Sequence, residues 1–246
     1  MSYFSIVVPL IPQHDSKIKV LFEGLAKEND FIKEIILCRS ESLAPNWLLR
    51  MKFNYIAKIS GVRAVVIIES IRGVARDGTN RNRGWAVSTA PYVAFLDADD
   101  LYAESRLQTL YEVFKLLNPD AIIHNYENLN VTLKSDNTIV IDHAKLKNCQ
   151  LSKTKLELEE FYNICDEEGL HLQIHFAHLT VKTSLRNSVK FSDRFPGADT
   201  QMTQDLILHG CKVVYIDSKL SSWSRDRSVR YKLRLVRSRI KTLFRN

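Results

Sequence analysis

The feature that most constrains this chain is an apolar run, Ala90 to Leu96, that ends in three carboxylates within four positions, Asp97, Asp99 and Asp100. Such a run is typical of a buried strand. Carboxylates crowded at a strand end repel one another, and a divalent metal can supply the counter-charge while keeping positions for phosphate oxygens. Because α/β sheets bind ligands at the carboxyl ends of their strands, the pattern predicts a metal–nucleotide site. The alternative is a polar turn in which Asp100 caps a helix that begins at the next residue.

Short apolar runs alternate with helical patterns along the first hundred residues. The predicted strands cover residues 4–8, 31–38, 62–68 and 90–96. We expect Asp15 to cap the first helix and Pro45 to open the second. Because each strand is apolar throughout, the pattern predicts a parallel sheet covered by helices on both faces.

A segment rich in hydrogen-bond donors, Arg76 to Ala86, lies just before the acid-terminated strand. Arginine suits phosphate or carboxylate partners, and glycine lets the backbone approach a ligand. The alternative is an exposed helix with solvated arginines. The position next to the acid cluster favours a binding role.

Three motifs in this order and spacing resemble the nucleotide-sugar half of the family 2 glycosyltransferases. They are Val8-Pro9 at the end of a strand, Arg81-Asn82-Arg83-Gly84, and Asp97-Ala98-Asp99-Asp100. The resemblance implies a GT-A fold, an α/β architecture in which a Rossmann-like, mostly parallel sheet flanked by helices is joined to an acceptor-binding region. It also implies transfer of a sugar from a nucleotide-diphosphate donor with Mn²⁺ or Mg²⁺ as cofactor.

The resemblance assigns roles to individual positions of this sequence. Donor contacts fall on Pro9, Arg81, Asp97 and Asp99, and metal ligation falls on Asp99, Asp97 and Asp100. The family's acidic turn after the second strand is replaced here by Cys38-Arg39-Ser40-Glu41-Ser42. A UDP-sugar is the favoured donor, although this departure leaves the base open.

A second likeness lies near residue 199, where the family has a Glu-Asp pair opening a helix that closes on a glycine. Asp199 and Gly210 fit that pattern, whereas Ala198 replaces the Glu and Asp205 takes a commonly basic position. The resemblance makes Asp199 the general base that removes the acceptor proton in an inverting transfer. The alternative is that Asp199 only caps the helix.

Other polar residues of the second half give weaker indications. His171, His175 and His178 cannot converge from one straight strand, which favours structural or acceptor-contacting roles over a metal site. Asp226 stands where the family often has a histidine and is a further candidate metal ligand. A helix is expected from Leu151 to Glu168, closed by Gly169.

The positive charge is concentrated at the C-terminus. The chain has a net charge of +7, and cations crowd the segment from Arg225 onward. From Ser228 to Asn246 apolar residues recur at helical spacing, which predicts an amphipathic basic helix suited to an anionic membrane surface. The alternative is a helix docked on the domain or on a second subunit. Few aromatic residues interleave, which disfavours nucleic-acid binding.

Composition and cysteine usage indicate the general class of protein. With 246 residues, 45% of them hydrophobic, the chain can form one GT-A domain over residues 1–222, with a donor half (1–100) and an acceptor and catalytic half (101–222), followed by a basic tail (223–246). No apolar window suits a membrane span or signal peptide, and four scattered cysteines indicate reduced thiols. We therefore expect a cytoplasmic protein, peripheral on the inner face of a membrane.

The predicted function is transfer of a sugar to a glycan or lipid-linked acceptor, in polysaccharide biosynthesis, by a chain that can form a homo-oligomer. A nucleotidyltransferase also uses acids at strand ends, but it needs a glycine-rich phosphate loop where this chain has Pro9-Leu10-Ile11-Pro12. The remaining alternative is a catalytically degenerate glycan- or membrane-binding relative, which Ala198 suggests.

Overall fold

The computed structural model describes residues 2–42, 44–129, 151–153, 155, 157, 178–193 and 198–224. The strands are β1 (Phe4–Leu10), β2 (Ile32–Arg39), β3 (Val65–Ser70), β4 (Tyr92–Phe95), β5 (Leu101–Tyr102), β6 (Ala121–Leu129), β7 (Leu151–Lys153), β8 (Leu179–Lys182) and β9 (Val213–Ser224). The α-helices are α1 (Ile18–Ala26), α2 (Asn46–Ile59), α3 (Asp77–Val87), α4 (Arg106–Leu117) and α5 (Ala198–Leu208), and 3₁₀ helices cover Pro12–Lys17 and Thr183–Asn187.

The described strands form one sheet in the order β3-β2-β1-β4-β8-β6-β9-β5, with β7 also paired to β9. Strands β1 to β4 are mutually parallel, and β9 is parallel to β6. Strands β5, β7 and β8 run the other way. The sheet is therefore mostly parallel and flanked by helices, which confirms the predicted fold class.

The two faces of the sheet pack against different helices. Alternate residues of β1, such as Ile6 and Val8, join a core with α1, α2 and α4. Val7 points to the opposite face, where Trp85 of α3 and Met202 of α5 complete a second core. This division follows from the alternation of side chains along a strand, and it explains why the central strands are apolar at every position.

Two helix starts differ from the sequence prediction. Asp15 does not cap α1, because its carboxylate pairs with Arg39 and Lys52 instead. No helix begins after Asp100, since the next two residues form β5 and α4 begins at Arg106. Asp100 therefore does not act as the predicted cap.

The second half is described in part. Leu151–Lys153 is a strand paired with β9, so the helix predicted from Leu151 is wrong at its start. Helix α5 is followed by Gly210 with a φ of +72°, as the helix-closing glycine requires. The remainder of the predicted 151–168 helix apart from 155 and 157, together with His171, His175, Asp226 and the basic helix from Ser228, lies outside the described residues.

Strand β9 continues to Ser224, two residues into the segment assigned to the tail. Among the helices of the described residues, none combines the length and the apolar character that a membrane crossing requires.

Candidate active site

Helix α3 carries the Arg81-Asn82-Arg83-Gly84 motif and packs directly on the central strands. A Cβ atom on Gly84 would lie 2.5 Å from Val7 Cγ1 and 2.8 Å from Cys38 Sγ. Only glycine lets the helix approach β1 and β2 this closely. Burial raises the pKa of Cys38 to about 12, so a neutral thiol forms part of this contact. The close approach brings the polar residues of α3 to the carboxyl ends of the strands.

Arg81 links α3 to the acid cluster. Its guanidinium is buried and forms a salt bridge with the carboxylate of Asp97, which is partly exposed. Asp77, one turn before Arg81, is accessible to solvent, yet desolvation by the surrounding protein raises its pKa, with the charge of Asp97 adding to the effect. Arg81 and His14 act in the opposite direction. The Arg81 guanidinium therefore pairs with Asp97, and its charge also favours the ionised form of Asp77.

Tyr102 holds the backbone of the acid cluster. Its hydroxyl accepts a hydrogen bond from the Asp97 amide at 2.7 Å and donates to the Asp97 carbonyl at 2.9 Å. Burial, followed by the charges of Asp100 and Asp97, raises the pKa of Tyr102 well above 10, so the hydroxyl keeps the proton that it donates. Asp100 is buried, whereas Asp97 and Asp99 are partly exposed at the surface of the turn.

The buried cation Arg106 packs against the ring of Tyr102. The Arg106 guanidinium lies 4.9 Å from the Tyr102 ring centroid, and its Nε donates to His124 Nε2 at 3.0 Å. Burial lowers the pKa of His124 well below 6.5, with Arg106 contributing, so the ring is neutral and accepts this hydrogen bond. Its Nδ1 lies 2.9 Å from the Asn125 carbonyl, which suits the proton on that nitrogen. His178 is buried with its ring centroid 5.2 Å from that of His124, in agreement with a structural role.

The segment 191–193, which precedes α5 in the sequence, is hydrogen-bonded to the other side of α3. Asn82 donates to the Phe191 carbonyl at 2.8 Å and accepts from the Phe191 amide at 3.0 Å. Thr79 donates from its amide and hydroxyl to Asp193. The segment leads to α5, whose first turn contains Asp199. Helix α3 is thus tied both to the acid cluster and to the segment before the predicted base.

Another cluster of charged side chains, Arg39, Asp15 and Lys52, lies at the end of β2. Arg39 makes two hydrogen bonds to the Asp15 carboxylate, at 3.2 and 3.3 Å, and Lys52 of α2 approaches the same carboxylate at 2.7 Å. Arg39 is buried, and its Nη1 has no hydrogen-bond partner among the described residues. The turn that departs from the family pattern therefore presents a guanidinium where an acidic residue is usual.

The residues predicted for the donor side fall at one edge of the sheet. Pro9 is buried near the end of β1, opposite Cys38, and the acid cluster follows the adjacent β4. Asp199 lies in α5, and its side chain is outside the described set. Sequence reasoning gave no role at the site to Asp77, Tyr102 or Asp15. Only Asp77 carries a sequence signal, since it precedes Arg81 by one helical turn.

The contacts of the acid cluster limit how it can bind a metal ion. Within the part of the chain that the structure describes, no three His, Cys, Asp or Glu side chains converge on one point. Asp97 is engaged by Arg81, and Asp100 is buried. Mg²⁺-type ions in nucleotide sites use one or two carboxylates together with substrate phosphates. The partly exposed Asp99 fits that arrangement, but a cage of three carboxylates does not form.

A family model described as glycosyl transferase family 2 matches residues 55–164. The match begins in α2 and includes both the Arg81 motif and the acid cluster. The comparison with curated proteins returns no match.

Solved structures show the same fold at low sequence identity. S. aureus TarS 1–349 in complex with UDP-GlcNAc aligns with a TM-score of 0.64 at 16% identity, covering 92% of this chain and 59% of that one. Glucosyl-3-phosphoglycerate synthase from Mycobacterium tuberculosis, in complex with Mn²⁺, UDP and phosphoglyceric acid, aligns with a TM-score of 0.58 at 14% identity, covering 94% and 73%. The chain spans about three fifths of the length of the TarS 1–349 structures it matches.

Proposed function

We propose, on the premise that this chain is a family 2 glycosyltransferase-like protein with a GT-A fold, that it transfers a sugar from a nucleotide-diphosphate donor to a glycan or lipid-linked acceptor. The observation that carries the proposal is the Arg81–Asp97 salt bridge, which joins the two donor-side motifs at the carboxyl edge of the sheet. Both motifs lie inside the matched segment. Sheets of this type bind nucleotides at that edge.

On the donor side, Arg81 holds Asp97 in place, and Asp97 accepts hydrogen bonds from the donor. Pro9 lies next to the last residue of the neighbouring strand β1, at the same edge of the sheet. Asp99, with Asp226 as a further candidate, would hold Mn²⁺ or Mg²⁺ together with the donor phosphates. When bound, such an ion neutralises charge on the leaving diphosphate. A UDP-sugar is the favoured donor, because the similar structures include complexes with UDP and UDP-GlcNAc.

On the acceptor side, Asp199 removes the proton of the attacking hydroxyl, so the sugar is transferred with inversion in a single displacement. The support is its place in the first turn of α5, the position that the resemblance gives to the base.

The setting proposed for this reaction is the cytoplasmic face of a membrane, in polysaccharide biosynthesis. A lipid-linked acceptor and the cation-rich sequence after Arg225 would both suit that surface. A homo-oligomer remains part of the proposal.

The experiment is thermal unfolding with UDP, GDP, CDP and ADP, each with and without Mn²⁺. A nucleotide at about a hundredfold excess over its Kd should raise the Tm by roughly 5 to 10 °C. Asp99→Asn should remove the Mn²⁺-dependent part of the shift. The matched control is Asp30→Asn, because Asp30 is an exposed carboxylate at the opposite edge of the sheet, before β2.

Release of nucleotide diphosphate from the stabilising sugar donor then tests the reaction. Release that depends on acceptor and is lost in Asp199→Asn supports the transferase and its base. A nucleotide shift without any turnover would favour the degenerate binding relative, and no shift with any nucleotide would contradict the donor site.

A further inference from the structure

Helix α2 has an exposed apolar stripe opposite the face that it buries. The stripe side chains are between 45% and 65% exposed. They are Trp47, Leu48, Met51, Tyr55 and Ile59. At 100° per residue they fall within about 120° of the helix circumference and extend along about 18 Å of its axis. Exposed apolar residues are ordinary when scattered, but a continuous stripe with two aromatic rings marks an interaction surface.

The core does not account for this stripe. Helix α2 already contributes Leu49, Phe53 and Ala57 to the core that it shares with α1 and the sheet. These residues follow the i, i+4, i+8 spacing of a single buried face, and the stripe lies on the other side. The helix is therefore apolar on two opposite faces, and only one of them packs into the core.

The charged residues of α2 are all positive. Arg50, Lys52 and Lys58 are exposed, and α2 contains no Asp or Glu from its first residue to its last. Lys52 pairs with Asp15 of the preceding 3₁₀ segment. Of the other two cations, Arg50 lies about 60° outside the stripe and Lys58 falls within its angular span near the C-terminal end of the helix. Apolar and aromatic residues bordered by cations are typical of helices that lie in the headgroup region of an anionic bilayer.

We propose that the stripe of α2 docks this protein on the surface of an anionic lipid bilayer. Charge complementarity selects this occupant over a second copy of the chain. A symmetric α2–α2 contact would bring cations against cations with no carboxylate on either helix to compensate them. Anionic headgroups supply that compensation, while Trp47 and Tyr55 place their rings at the level of the headgroups.

The position of α2 gives the docked protein a defined orientation. The N-terminal end of α2 lies beside the carboxyl edge of the sheet, since the side chain of Asn46, its first residue, accepts a hydrogen bond from Ser70 at the end of β3. The candidate active site is thus on the same edge as Trp47 and Leu48. The proposal goes beyond the transferase assignment and does not depend on it.

The test is binding of the full chain to vesicles of phosphatidylcholine alone and with about 30% phosphatidylglycerol. Met51→Glu should weaken binding to the anionic vesicles by about tenfold, because it places a carboxylate within the stripe. The matched control is Leu116→Glu, which also replaces an exposed apolar side chain by glutamate, on α4 instead of α2. Arg50→Gln with Lys58→Gln should weaken binding and reduce its dependence on salt.

Insertion depth gives a second, independent readout. Brominated lipids should quench tryptophan fluorescence of the bound protein, and Trp47→Phe should remove most of that quenching while keeping an apolar ring in the stripe. Quenching that persists in Trp47→Phe would contradict the proposal.

Four other outcomes would overturn the docking proposal. Equal vesicle binding by wild type, Met51→Glu and Leu116→Glu would overturn the proposal and assign binding to another part of the chain. A dimer that sediments as such and dissociates in Met51→Glu without vesicle binding would overturn it in favour of a second copy. A fall in the Tm of Met51→Glu with unchanged vesicle binding would show that another part of the chain covers the stripe, which would overturn the proposal. Absence of wild-type binding to both kinds of vesicle would also overturn it. Nucleotide-induced thermal shifts are measured separately, so failure here leaves the transferase proposal standing.

Discussion

The side-chain amide of Asn82 closes a two-hydrogen-bond ring with the backbone of Phe191, donating at 2.8 Å and accepting at 3.0 Å. No other amino acid of this size offers a donor and an acceptor in one plane, which explains why a motif asparagine lies here. The ring ties α3 to a segment that is 109 residues away in sequence.

Asn82→Ala should therefore lower the free energy of unfolding by about 2 kcal/mol, since two hydrogen bonds to a partly buried backbone are lost. Urea unfolding measures this change. Asn54→Ala, at an exposed position of α2, should stay within about 0.5 kcal/mol of wild type. Similar losses in both variants would contradict the role of the ring.

Two glycine-to-alanine substitutions should have opposite effects. Gly84→Ala places a methyl group 2.5 Å from Val7 Cγ1 and should lower the free energy of unfolding by about 1–3 kcal/mol. Gly24→Ala, inside α1 with no atom within 4 Å of the new methyl group, should raise it by about 0.5–1 kcal/mol. Thermal and urea unfolding of the pair measure both. Equal effects would show that α3 does not need its close contact with β1.

The salt bridge between Arg81 and Asp97 should be measurable by a double-mutant cycle with Arg81→Met and Asp97→Asn. Arg81→Met removes the buried cation that serves Asp97 and should cost about 2–3 kcal/mol, somewhat below a fully buried pair because Asp97 is partly exposed. The control cycle uses the exposed pair Arg63–Asp30, for which we expect coupling below about 0.5 kcal/mol. Equal coupling energies in the two cycles would contradict a special role for Arg81.

Glu28 should make stability depend on pH. Burial raises its pKa from 4.5 to about 8, outweighing the amides of Gln108 and Leu107 that donate to it. Because the pKa is higher in the folded chain, the contribution of Glu28 to the free energy of unfolding is full below about pH 4.5 and is lost as the pH rises through about 8.

Glu28→Gln keeps an oxygen for the two amides and cannot ionise. Relative to wild type, this variant should gain stability from about pH 5 to pH 8.5, by at most roughly 5 kcal/mol. Urea unfolding at several pH values measures the difference, and Glu23→Gln on the exposed face of α1 is the control. A difference that does not change with pH would contradict the assignment.

The fold followed from local patterns, whereas much of the site did not. Continuous apolar runs predicted the parallel strands, because a strand covered on both faces leaves no polar positions. Motif spacing put Arg81 and Asp97 on the donor side, and the structure brings them together. Whether Pro9 and Asp99 contact a donor stays a prediction.

The contacts that sequence reasoning missed join residues that are distant in the sequence, and they replace the local contacts that the sequence favours. Tyr102 looked like part of a helix, but pairing of β5 with β9 turned its hydroxyl toward Asp97. Asp15 looked like a helix cap, but Arg39 offers its carboxylate two hydrogen bonds that a local cap cannot match. In both cases a tertiary contact overrode the local preference.

The antiparallel strand β8 has a consequence for synthesis of the chain. It sits between β4 and β6, although it is encoded some eighty residues after β4. Until residue 182 has left the ribosome, β4 has one unpaired edge and β6 has no partner, since its other neighbour, β9, is made later still. A nascent or truncated chain ending before β8 therefore presents one open edge of β4 and both edges of β6, which makes it prone to aggregation and dependent on chaperones.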